Sequence, residues 1–148
     1  MKKLIFLIVL ALGLVTQIMA QNVSTDFVAL DLYCPNYQQL QAQYAGQPNS
    51  YIVTASEIKA PQQIATALEG KTVTDLHIFV NGKPGSMVFT CIGLTIDNVD
   101  QYATYFAAWA QHVTGKVVVH NADVFAAETG QAFKAKLEQL TGLPFVAQ

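Results

Sequence analysis

The side chains able to do covalent or acid–base chemistry are few: two cysteines, Cys34 and Cys91, three histidines, His77, His112 and His120, and ten carboxylates. A thiol within hydrogen-bond reach of an imidazole is a nucleophile, because the imidazole takes its proton and the thiolate can attack a carbonyl. Cys91 with His120 is the pair to consider for such a dyad, the imidazole being the side chain that titrates near neutral pH. Two thiols without clustered histidines do not make a zinc site, so no metal and no other cofactor is expected. In an oxidising compartment an even pair of cysteines reads as one disulfide, Cys34 to Cys91, provided the two Cα atoms come within about 7 Å. His77, inside an apolar run, reads as a core histidine, and His112 as one near a helix end. Asp31, Asp123 and Glu128 are dispersed, and capping and solubility account for them.

The charge balance narrows the partners. All 8 basic residues are lysines, against 10 acids, for a net charge of -2. Without arginine there is no bidentate clamp for phosphate or carboxylate, and the net negative charge gives no basic face for nucleic acid. A chain that is 52% hydrophobic and 12% charged has ample material for a core and is not intrinsically disordered. Its 148 residues suit one core rather than two.

The first 20 residues read as a cleavable secretory signal. Met1, Lys2 and Lys3 form a positive start, residues 4–15 are an unbroken apolar run, and Ile18, Met19 and Ala20 precede the polar Gln21 and Asn22. The run of twelve is short of the roughly 20 residues that cross a membrane. The expectation is therefore a secreted chain, periplasmic, extracellular or on the cell surface, with one domain over residues 21–148 and no stable membrane span after processing.

The elements that must position the reactive side chains follow from periodicity. Apolar runs at 27–32, 51–54, 76–80 and 117–119 read as strands, and those at 27–32 and 117–119 lack polar alternation, as strands buried on both faces do. Helical spacing appears from Pro35 to Gly46, from Ala60 to Gly70, after the caps Asp97 and Asp100 through Val113, and over 126–141. Residues 86–95 read as a small hairpin after a turn at Asn81 and Gly82, and residues 143–146 as a terminal edge strand. On the helix after Asp97, Tyr105 or Trp109 is expected to face outward, since one sheet cannot bury every aromatic there. Strands alternating with helices predict an α/β fold of three layers, a mostly parallel sheet flanked by helices. In such sheets a site forms outside the carboxyl ends of the strands, which points to Asp31, residues 81–85 and residues 120–123.

The stretch 76–86, the helix around 97–109, the strand 117–120 and the run 126–133 followed by Leu140, Thr141 and Gly142 together resemble a caspase-like domain, of the caspase and gingipain type, found in very large secreted bacterial proteins. The resemblance begins at residues 32–37 and implies a catalytic histidine after the third strand and a catalytic cysteine after the fourth. Carried onto this chain, the histidine position is Asn81 and the cysteine position is Ala122. Asn81 cannot take a proton and Ala122 is no nucleophile, so the dyad is degenerate. Asn121 replaces a usual glycine and His120 a usual tyrosine, which reshapes the mouth of the cleft.

These readings converge on a secreted pseudo-peptidase that binds protein or peptide without turnover, through Asn81, Gly82, Lys83, His120, Asn121 and Asp123. Two alternatives differ in class. One is a self-assembling structural subunit, in contact through a sheet edge and Tyr105 or Trp109; the other is a hydrolase with a displaced cysteine nucleophile.

Overall fold

The computed structural model describes residues 25–148; the expected signal segment, residues 1–20, lies outside them. Five strands form a parallel sheet: β1 (Phe27–Asp31), β2 (Ser50–Val53), β3 (Leu76–Phe79), β7 (Val117–Val119) and β8 (Phe145–Ala147), in the spatial order β2-β1-β3-β7-β8. A second, antiparallel sheet holds β4 (Asn81–Lys83), β5 (Ser86–Phe89) and β6 (Ile92–Thr95). Four helices cover the parallel sheet: α1 (Tyr37–Tyr44), α2 (Ala60–Leu68), α3 (Ala103–His112) and α4 (Ala127–Thr141). The step from β1 to β2 runs opposite to the three that follow, so right-handed crossovers put α1 on one face and α2, α3 and α4 on the other.

Alternation along the strands divides the side chains between those faces. Phe27, Ala29, Leu76, Ile78, Val117, Val119 and Phe145 turn towards α2, α3 and α4 and are buried in the main core. Trp109 is fully buried there, its Nε1 donating to the Pro61 carbonyl at 3.0 Å and its ring meeting Phe106 edge-on. This corrects the expectation of an outward Trp109: the indole locks α3 onto α2, while Tyr105 is half-buried against the core. Val28, Leu30, His77, Phe79 and Val118 turn to the other face. The helix there, α1, is short, uncharged and buries none of its own residues, so His77 and Phe79 stay half-buried.

Three local departures from the expected elements have physical causes. Asn81 and Gly82 are not a turn but part of β4, paired with β5 in the register Asn81 to Val88 and Lys83 to Ser86, and the chain reverses at Pro84 and Gly85. Gly82 is required by close packing, because a Cβ there would press on Val124 Cγ2 and come 2.9 Å from the Ser86 carbonyl oxygen. Helix α1 starts at Tyr37, two residues past Pro35, because Asn36 takes the left-handed conformation with φ 60° and cannot be a helical residue. Asp97 and Asp100 do not cap a helix. A short 3-10 turn (Val99–Tyr102) precedes α3, and Asp100 instead meets Lys136 Nζ at 2.7 Å.

Asn98 closes an edge. In the β5–β6 ladder the backbone groups of Gly93 and Thr95 turn outward. The Asn98 side-chain amide accepts from Thr95 N–H at 2.9 Å and donates to the Gly93 carbonyl at 2.8 Å, occupying them as a neighbouring strand would.

Candidate functional site at the strand ends

The carboxyl ends of β1, β3 and β7 meet in one region, as expected of a parallel sheet. Asp31 is fully buried there: its carboxylate accepts from Thr90 N–H at 2.7 Å, Thr90 Oγ1 at 3.0 Å and Tyr33 N–H at 3.0 Å. It ties the end of β1 to the tip of the β5–β6 hairpin. Asn81 Nδ2 donates to the Tyr33 carbonyl. Asn121 Nδ2 donates to the Val80 carbonyl at 3.2 Å, and its Oδ1 accepts from Asp123 N–H at 3.2 Å. Ala122 opens a 3-10 turn (Ala122–Phe125), and Gly82 packs between that turn and Ser86. Both asparagine amides are thus engaged in holding loops together. Gly85 N–H donates to the Val124 carbonyl at 3.0 Å, so it too is engaged within the fold. Lys83 and Asp123 are exposed at the rim. Glu128 is exposed in the first turn of α4, and His112 Nδ1 lies 2.8 Å from the Lys71 carbonyl oxygen, away from the strand ends.

The two cysteines are free thiols, which overturns the expected Cys34–Cys91 disulfide. Both follow a segment anchored on Asp31, but the buried carboxylate and its donors occupy the space between the two segments. Cys34 is buried beside α1, whereas Cys91 packs on the α2 face, where Gln63 Nε2 approaches its Sγ at 3.7 Å. That arrangement also separates Cys91 from His120, so the structure does not bring the considered dyad together.

A different thiol shares a cleft with His120. Cys34, Pro35, Asn36, Gln39, Leu40, Gln43, Phe79 and His120 line a depression of about 270 Å³ between α1 and the sheet. Its floor is aromatic: Phe79 and His120 stack face to face, 3.9 Å between centroids and 2° between planes. Phe79 and His120 lie side by side on β3 and the continuation of β7, both on the α1 face. Burial pushes the Cys34 thiol up to about 11, with the Asp31 charge adding to it. Burial, then the neighbouring His77, pulls His120 down to about 4. A thiol and an imidazole shifted in these directions are both neutral at pH 7, the reverse of a thiolate–imidazolium pair.

Behind the cleft His120 joins a chain of titratable groups. His120 Nε2 lies 2.9 Å from His77 Nδ1, and His77 Nε2 lies 3.6 Å from Asp26 Oδ2. Asp26, Asp75 and His77 converge, with ligand-type atoms within 4.8 Å of one another. Lys116 already supplies their countercharge, its Nζ 2.6 Å from Asp75 Oδ2. Burial would raise the Asp75 carboxyl, but hydrogen bonds from the Lys116 ammonium and backbone N–H outweigh it and hold the group below its ordinary value.

Of the residues expected from sequence, His120 alone both lines this cleft and leaves a ring nitrogen unengaged among the described residues. The sequence reading does not single out Leu40, Phe79 or Cys34 for this cleft, and it places His77 in the core, where the structure leaves it half-buried. The period-two placement of His77 and Phe79 on one face of β3 is the signal that would have found them.

The family described as Domain of unknown function (DUF4347) matches residues 27–148. No curated protein and no solved structure matches the chain.

Proposed function

The chain belongs to the DUF4347 domain family, and from its strand-end cleft we propose that it is an exported, non-catalytic binding domain, a degenerate caspase-like module that holds a side chain of an extended peptide without cutting it. One observation carries the reading: among the described residues Cys34 and His120 line one cleft, and burial holds both in the wrong protonation states for acyl transfer. At a thiol pKa near 11, only about one molecule in ten thousand is thiolate at neutral pH. What the cleft does offer is a flat aromatic floor, Leu40 at one wall and a rim of Asn36, Gln39 and Gln43, which suits an apolar or aromatic side chain with its backbone held by amides. The lysine-poor, arginine-free surface favours a neutral peptide over an acidic one. The signal-like residues 1–20 support export.

Peptides selected by phage display on the full chain test this. Binding is expected to weaken at least about tenfold, roughly 1.4 kcal/mol, on Leu40→Glu or His120→Ala and to stay unchanged on Lys83→Ala. Hydrolysis of a selected peptide that disappears on Cys34→Ala would overturn the proposal, as would peptides indifferent to Leu40→Glu.

A further inference from the structure

We propose that His77 and His120 form a proton relay that reverses the hydrogen-bonding character of the cleft, so that His120 Nδ1 accepts from a bound ligand when the pair is neutral and donates to it once the pair has gained one proton. The consequence for ligand choice rests on the cleft-binding reading above; the relay itself does not.

The geometry requires a directed bond. His120 Nε2 and His77 Nδ1 are 2.9 Å apart, so one nitrogen carries the shared hydrogen and the other presents its lone pair. In the neutral pair the Asp26 carboxylate, 3.6 Å from His77 Nε2, attracts the ring hydrogen to that side. His77 Nδ1 is then an acceptor, His120 Nε2 carries its hydrogen, and His120 Nδ1 is left with a lone pair. That nitrogen has no protein partner among the described residues, on a ring that lines the cleft.

A single added proton inverts the sequence of bonds. It attaches to His120 Nδ1, the hydrogen on His120 Nε2 moves across the 2.9 Å bond to His77 Nδ1, and the positive charge comes to rest on His77. One proton enters, one is passed on, and His120 ends neutral as the other tautomer, with N–H now at Nδ1. The charge belongs on His77 because Asp26 and Asp75 flank it from the segments before β1 and β3. The charges around the pair agree with that placement. Lys116, from the segment before β7, is bound to Asp75; Cys34, after β1, is a neutral thiol; α1 carries no charge at all. The depression of His120 to about 4 supports the same assignment, since burial and His77 both resist a charge there. A second proton would set two N–H groups against each other across 2.9 Å, so the pair accepts one and stops.

The test is a nitrogen-15 NMR titration of imidazole resonances in the full chain from pH 8 to pH 5.5, with the amide spectrum as the check on folding. His120 Nδ1 is expected to move from the unprotonated to the protonated range while Nε2 moves the opposite way. Asp26→Asn should shift the change to lower pH, and His77→Phe should abolish it. A His120 that keeps one tautomer throughout, or switches equally in His77→Phe, overturns the relay. Peptide binding plays no part in this readout, so failure of the binding reading and failure of the relay are separate results.

Discussion

At the scale of single residues, His120 stores a pH dependence. In the unfolded chain an imidazole titrates near 6.5, whereas burial and then His77 hold folded His120 near 4. As pH falls the unfolded chain therefore binds that proton first. The contribution of this residue to stability is complete above about pH 6.5 and is lost progressively as pH drops towards 4. A thermal melt at pH 7 and at pH 4.5 should show a fall in Tm that is smaller in His120→Phe, and equal slopes in the two proteins would refute the assignment. Asp75, held low by Lys116, is lost in the same direction but at lower pH. Among single residues the sequence was half legible. The position of His120 at a strand end marks it as a site residue, and it does line the cleft, but nothing in the types of Asn81 and Asn121 says that their amides are consumed by the Tyr33 and Val80 carbonyls. Partners so distant in sequence, 48 and 41 residues, are set by tertiary packing.

At the scale of elements, the five parallel strands were legible because each is a mostly apolar run between breaks in the pattern, and in β1 and β7 burial on both faces selects for an unbroken one. The residues 81–83 were not, because Asn-Gly carries the strongest short-range turn signal and only the ladder to β5 and the contact with Val124 overrule it. Gly82 is thus a packing glycine rather than a turn glycine. Gly82→Ala should cost about 1–3 kcal/mol in urea unfolding, as overpacking does, while Lys83→Ala beside it should stay within about 0.5 kcal/mol. Equal effects would show that Val124 and Ser86 give way freely. The buried Gln63 was equally invisible to periodicity: its amide pairs with both backbone groups of Thr54 at 3.0 Å and reaches the Ile58 carbonyl at 2.7 Å, stitching the loop between β2 and α2.

At the scale of the whole molecule, with both cysteines free, stability rests on packing, hydrogen bonds and a few ion pairs. Denatured, unreduced protein should titrate two thiols per chain, and native protein should react slowly with iodoacetamide, because burial raises both Cys34 and Cys91. One thiol or none would restore the bridge. A chain with so few charges also relies on closed sheet edges: Asn98 blocks β6, and the Phe145 N–H of β8 is taken by Glu138 Oε1 at 2.9 Å. The strand order has a further effect during synthesis. β1 lies between β2 and β3, so the first strand to leave the ribosome keeps one flank unpaired until residues 76–79 have emerged, and β3 in turn waits for residues 117–119. Each pairing closes a long loop before any ladder bond compensates for the entropy, and it must wait for its partner strand to be made, so folding comes late in translation. The sheet stays incomplete until residues 117–119 and then 145–147 have been made, so its last two ladders can close only near the end of synthesis.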